Sequence, residues 1–245
     1  MTVLLVGGTG RTGGRVLEQL LGRGAHVRAI VRDARRLPAG VSECPGLTVV
    51  EADLLSMSDD EIARQVRGCD AVISCLGHVI SLRGVFGPPW DLVALATRRL
   101  CRAIEGPAPV RFILMSSVSV NRPDHLDTRR GNLERAVLWL IRALAPPARD
   151  NQAAADFLCG EIGTHNPFVQ WVAVRPDTLV GGDVSEYEVH ESLVNGLFAP
   201  GRSSMANVAH FMCELVTDAK TWEAWMGKLP VITNASVGEV SRARE

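Results

Sequence analysis

The sequence predicts an α/β fold built on a doubly wound parallel sheet. Short, continuous apolar runs alternate with stretches of helical periodicity from the first residues onward, and a glycine run separates the first strand from the first helix. Continuous apolar strands are buried on both faces, and the helical crossovers between parallel strands supply the cover. No repeat, low-complexity segment or compositional break marks an independent second unit within the 245 residues.

Residues 3–6 form the first strand, after which Val16, Leu17, Leu20 and Leu21 recur at helical spacing. Residues 26–31 (HVRAIV), 47–52 (LTVVEA) and 71–76 (AVISCL) supply the next three strands. Between the third and fourth, Ile62 and Val66 mark a short helix with Ser58 as N-cap and three acidic residues, Asp59, Asp60 and Glu61, in its first turn. Leu92, Leu95, Ala96 and Leu100 give another helix, and residues 110–115 (VRFILM) the fifth strand. Leu133, Ala136, Val137, Leu140 and Leu144 form a helical stripe that Pro146 and Pro147 must end. A helix over 151–161, a strand over 169–174, a helix over 208–216 and a last strand over 229–233 complete the order. The stretches 119–130 and 181–204 read as irregular, and both follow strand C-termini, where ligands bind in such sheets. The tail 236–245 is polar and expected to fray.

Composition narrows the function. Lys and Arg total 26 against 27 Asp and Glu, a net charge of −1, which argues against nucleic acid or a membrane surface as partner. Six scattered cysteines form no C-x-x-C pair and have no histidine at metal-ligand spacing, so they read as reduced thiols in a cytoplasmic protein without a metal site. Met1 leads directly into an apolar strand, so no signal peptide is expected, and no apolar stretch approaches the ~20 residues of a membrane span. Lys220 and Lys228 are the only lysines, and Tyr187 is the only tyrosine.

The glycine run satisfies two spacings at once, G-x-G-x-x-G at Gly8, Gly10 and Gly13, and G-x-x-G-x-x-G at Gly7, Gly10 and Gly13. Between a strand and a helix, such glycines allow a tight turn, close approach of backbone to a pyrophosphate, and helix-on-strand packing. The helix N-terminus then offers free N–H groups to the anion. Gly7, Gly10, Arg11, Thr12 and Gly13 are therefore candidate cofactor residues. The second strand ends in Val31, Arg32 and Asp33, followed by Arg35 and Arg36. Arg32 and Arg11 suit a 2′-phosphate, which favours NADP(H), and Asp33 keeps NAD(H) possible. Arg35 and Arg36 read as a solvated helix face. After the third strand, Asp53 can accept from an adenine amino group with Leu54 against the ring; Asp53 reads equally well as a loop or capping residue. Leu76 and Gly77 end the fourth strand where backbone can approach the cofactor ribose.

These residues together resemble the atypical, or NmrA-like, branch of the extended short-chain dehydrogenase/reductase superfamily. The resemblance rests on V-G-G-T-G-R-T-G in the first loop, I-V-R-D, A-D-L, S-C-L-G and S-S-V after successive strands, and V-R-P-D-T-L after the sixth. It implies one Rossmann-type, NAD(P)-binding domain over 1–245, with residues 178–228 contributing a small substrate-binding lobe. A small-molecule substrate is expected as partner, and a monomer or homodimer as the assembly.

Most dehydrogenases of that superfamily use Tyr-x-x-x-Lys, in which Lys lowers the tyrosine pKa and Tyr passes a proton to the substrate oxygen. With Asp156 aligned to the acidic residue that commonly trails the motif, Tyr would fall at Ala148 and Lys at Gln152. Tyr187 is followed four residues on by Glu191, and both lysines lie downstream of it, so the relay is absent. Ser117 takes the family's place for a substrate-oxygen-binding serine, and Ser116 beside it borders the cofactor. Asp150 reads as an N-cap or as a general acid. His78, Trp90 and Thr178 are candidates for the substrate pocket; Phe86 and His125 read as pocket or loop residues. Three functions fit: an NADP(H)-dependent oxidoreductase, a cofactor-binding regulator or redox sensor without turnover, and a cofactor-bound isomerase, dehydratase or cyclase.

Overall fold

A computed structural model describes residues 1–78, 87–122, 127 and 129–235. Phe86, His125 and the tail 236–245 lie outside the described residues. Ten strands and seven α-helices are present among the described residues. The strands are β1 (Thr2–Val6), β2 (His26–Val31), β3 (Leu47–Glu51), β4 (Ala71–Ser74), β5 (Val110–Met115), β6 (Val169–Pro176), β7 (Thr178–Val180), β8 (Tyr187–His190), β9 (Arg202–Ser204) and β10 (Val231–Asn234). The helices are α1 (Arg11–Gly22), α2 (Asp59–Val66), α3 (Leu92–Arg102), α4 (Asn132–Leu144), α5 (Pro146–Phe157), α6 (Met205–Thr217) and α7 (Ala219–Trp225).

Eight strands form the central sheet in the order β3-β2-β1-β4-β5-β6-β10-β8. All neighbours are parallel except β8, which closes the edge antiparallel to β10. The first six strands thus follow the Rossmann order, with the change of direction between β1 and β4. Strand alternation splits the core in two. Leu4, Val6, Val72, Phe112 and Leu114 pack under α2, α3 and α5. Val3, Leu5, Ile73, Ile113 and Val172 pack under α1, α6 and α7 on the other face. Successive residues of one strand therefore serve opposite layers, which is why these strands read as unbroken apolar runs.

Ser58 caps α2 as expected. Its Oγ accepts from Glu61 N at 3.2 Å, while Glu61 Oε2 accepts from Ser58 N at 2.7 Å, a reciprocal capping box. Two expectations are corrected. The helix expected over 151–161 begins at Pro146, since a proline that ends one helix is compatible with the first turn of the next, and it runs into a π-helical turn at Leu158–Ile162. The segment 181–204 contains β8 and β9; β9 pairs with β7 in a separate two-stranded ribbon, whereas β8 joins the main sheet. The apolar stripe of α4 faces outward, with Leu138 its buried residue.

Candidate functional site

The first loop shapes a cavity at the C-terminal ends of β1, β2 and β4. Gly7 has φ +81°, and a Cβ there would lie 2.6 Å from the Cys75 carbonyl carbon of β4's exit. At Gly13 a Cβ would lie 2.1 Å from Gly7 O, so α1 can rest on the loop only without a side chain at that position. Gly10, the N-cap of α1, supplies no side-chain cap, and the first-turn N–H groups are left for another acceptor. Gly7, Gly10, Arg32, Asp53, Leu54, Leu76 and Gly77 line this cavity. Seven of the residues expected around a cofactor therefore share one space.

The others do not. Thr12 is buried in the first turn of α1, and Gly13 shapes the loop from behind. Arg11 lies in an adjoining surface depression with Arg36, so it is not paired with Arg32. Arg36, expected on a solvated face, lines both spaces. The reason is local: residues Ala34–Arg36 form a 3₁₀ turn, not a helix with an outer face. Asp33 caps that turn. Its carboxylate accepts from Arg35 N at 3.1 Å and from Arg35 Nε at 2.9 Å, and the Arg35 guanidinium holds it below the usual carboxylate range. Asp53 folds back in the same way, its Oδ1 accepting from Leu55 N at 3.0 Å while it borders the cavity.

A second cavity, of about 300 Å³, opens at the ends of β5 and β6, the strands next in line after β4. Ser117 and Thr178 line it with Leu138, Leu193 and Asn195. Ser117 Oγ accepts from Ser119 N at 3.2 Å, which leaves its O–H available to donate. Ser116 is buried, with a hydroxyl that finds no partner among the described residues, and it lines neither of these two cavities. Asp177 fixes the rim by accepting from Gly201 N at 2.9 Å and Asn195 Nδ2 at 3.2 Å. Below it, fully buried Arg175 donates to Asp127 (Nη1–Oδ2 2.7 Å) and to the Leu229 carbonyl (2.8 Å). Asp127 also accepts from Leu193 N at 3.3 Å, so one ion pair ties β6 to both flanking loops. Arg130 donates to Asn121 and to the Val118 carbonyl, and burial pushes its pKa down to about 10.

Two residues singled out separately in the sequence meet. His78 Nε2 lies 2.8 Å from Asp150 Oδ2, with both side chains buried. Asp150 also accepts from Val93 N and Ala94 N, each at 2.8 Å. It is a cap after all, but of α3 and not of its own helix, in which it lies a turn past Pro146. Both Asp150 oxygens are thus engaged by backbone N–H groups, as those of a capping carboxylate are. Trp90 is largely exposed at the mouth of a third cavity, between α3 and α5, apart from Ser117 and Thr178. His78, Trp90 and Thr178 therefore do not line one pocket.

The missing relay is replaced by structure. Gln152, at the lysine position, accepts from Asn121 N at 2.8 Å and donates to Asn121 O at 3.1 Å, clamping the loop after β5. Sequence reasoning missed this role; an amide side chain matches a peptide group as donor and acceptor, and that was the available signal. Tyr187 O–H meets His210 Nδ1 at 2.9 Å on the opposite face of the sheet, and Lys228 pairs with Glu191 at 2.5 Å.

A family model described as NAD(P)H-binding matches residues 7–219. The chain belongs to this NAD(P)H-binding family. An uncharacterised chloroplastic protein of Arabidopsis thaliana is 32% identical over 119 residues, 49% of this chain and 42% of that protein. Protein TIC 62, chloroplastic, of Oryza sativa subsp. japonica is 26% identical over 257 aligned positions, 93% of this chain and 49% of the relative. The chain spans about half the length of these curated relatives or less. Among solved structures, the anaerobilin reductase ChuY of Escherichia coli O157:H7 matches with a TM-score of 0.67 at 19% identity, covering 97% of this chain and 98% of the other. A wide-type short-chain dehydrogenase/reductase of Veillonella parvula in complex with NADP matches with a TM-score of 0.63 at 15% identity, covering 97% and 95%. Fold and family agree with the resemblance to the atypical short-chain dehydrogenase/reductase branch, and the glycine cradle with its uncapped helix end suits an NAD(P)-type nucleotide. Among the described residues no helix is long and apolar enough to cross a membrane, and no cluster of His, Cys, Asp and Glu suits a metal ion.

Proposed function

We propose that the protein is an NADP(H)-dependent oxidoreductase of the atypical, NmrA-like type, acting on a small organic substrate without a Tyr-x-x-x-Lys relay. The observation that carries this reading is the placement of two cavities on neighbouring strands, one shaped by the glycine loop and one floored by Ser117 and Thr178. Bound in the cavity at the glycine loop, a nicotinamide cofactor would supply or accept a hydride. Ser117 donates its hydroxyl to the substrate oxygen and stabilises the charge that develops there, with its own oxygen held by Ser119 N. Asp177 and the Arg175–Asp127 pair keep the rim in place, and Leu138 and Leu193 exclude water from the pocket wall. The proton comes from water or from the substrate. Six free thiols support a reducing compartment, and a cytoplasmic location is part of this proposal.

The preference for NADP(H) rests on charge. Arg32 and Arg36 border the nucleotide cavity without a carboxylate partner among the described residues, whereas Asp33 is committed to Arg35. Arg32→Ala and Arg36→Ala are each expected to weaken NADPH binding about tenfold and NADH binding by less than about twofold. Fluorescence titration of both cofactors checks this, and equal losses for the two would remove the preference. One observation favours a second reading, a cofactor-binding regulator: Gln152 is tied to the Asn121 backbone where catalytic members carry a lysine.

A further inference from the structure

Helix α4 turns its apolar side to solvent. Leu133, Trp139 and Leu144 are 69%, 70% and 65% exposed. Its polar side is the one anchored to protein: Glu134 Oε1 accepts from Leu197 N at 2.7 Å, and Arg142 Nη2 donates to Ser119 O at 2.6 Å. At 100° per residue, the outward arc from Trp139 round to Ile141 contains no charged residue. This inverts the usual amphipathic arrangement, so the face is built for a partner.

The charge around it identifies that partner. Residues 129–149 hold five arginines against one glutamate, and that glutamate points inward. Arg129, Arg135 and Arg149 are exposed and have no carboxylate partner among the described residues. Beside the stripe, α3, α4 and α5 enclose a cavity of about 530 Å³ walled by Leu95, Leu144, Arg98, Arg142 and Arg149, three arginines against the carboxylates of Asp91 and Asp150, the latter engaged by the start of α3. The Nε atoms of Arg98 and Arg142 are buried without an acceptor among the described residues; Arg98 reaches Glu161 through another nitrogen at 3.7 Å. We infer that this face docks on an anionic phospholipid surface, with the leucine stripe and Trp139 at the level of the acyl chains and the arginines among the headgroup phosphates. A second copy of the chain fits less well, because a two-fold pairing would set the arginine rims against each other. The net charge of −1 averages over the surface and conceals this local basic field.

Sedimentation with vesicles tests the inference, using phosphatidylcholine alone and phosphatidylcholine with about one third phosphatidylglycerol. The protein is expected to bind the anionic vesicles at least ~10-fold more tightly and to leave them in ~0.5 M salt. Leu140→Asp with Trp139→Ser, and separately Arg135→Glu with Arg149→Glu, are each expected to reduce binding about tenfold or more, with circular dichroism and melting temperature unchanged. Equal binding to both vesicles, no binding, or folded variants that bind like the wild type would overturn it. So would a dimeric mass in light scattering that Leu140→Asp converts to a monomer.

Discussion

Gly13→Ala raises the Kd for NADPH about a hundredfold, because a single methyl group cannot be placed where helix meets loop. The added Cβ would stand 2.1 Å from Gly7 O, 2.8 Å from Gly7 C and 3.1 Å from Cys75 Cβ. Neither neighbour can yield easily. Gly7 is held at φ +81° in a place where even a Cβ would lie 2.6 Å from the Cys75 main chain, and Cys75 is buried just past the end of β4. Helix α1 must therefore withdraw from the loop and carry its N-terminal N–H groups away from the pyrophosphate position. Gly22→Ala is the control, since a Cβ there meets nothing within 4 Å; it leaves the Kd within about twofold. Fluorescence titration of both variants reads the difference, and wild-type affinity in Gly13→Ala would contradict the role given to the loop.

Asp150→Ala lowers stability by about 3 kcal/mol, which for a chain of this length moves the melting temperature down by roughly 6–12 °C. Asp91, at the N-cap of α3, makes no side-chain cap bond, so the carboxylate arriving from α5 is the acceptor that end of the helix uses. Its removal strands two backbone N–H groups and the His78 ring nitrogen in a buried site. Asp150→Asn keeps the shape but turns an NH₂ group toward at least one donor, so it falls between the two. A thermal melt by circular dichroism measures the series; a shift of less than about 1 °C for Asp150→Ala would show that water satisfies those groups instead.

Much of this architecture was legible because it rests on strong local signals. Apolar runs such as Val3–Leu5 and the glycine loop carry their own geometry, and Ser58 with Glu61 encodes the start of α2 in four residues. What could not be read depended on partners distant in sequence. Asp150 was recognisable as a capping residue, yet the helix it caps begins 58 residues earlier in the chain at Leu92. The stripe of α4 reports that the helix is amphipathic and says nothing about which side is covered; Glu134 and Arg142 decide that by bonding to the loops at Leu197 and Ser119. Strand β8, Tyr-Glu-Val-His, is short and half polar because it closes a sheet edge, so it lacks the apolar run that marked the others. His78 and Trp90 lie between β4 and α3 and Thr178 starts β7; His78 reaches Asp150, which lines the cavity between α3 and α5 with Trp90, whereas Thr178 lines the separate cavity with Ser117.

The central claim is hydride transfer without a tyrosine. It is tested most directly by following NADPH absorbance while the protein is offered a broad panel of carbonyl, enone and flavin substrates, alongside Ser117→Ala. The account predicts oxidation of NADPH with at least one substrate class and a drop in kcat of roughly tenfold or more in Ser117→Ala, with NADPH affinity retained. Tight NADPH binding with no change in absorbance across the whole panel would contradict it and favour the regulator.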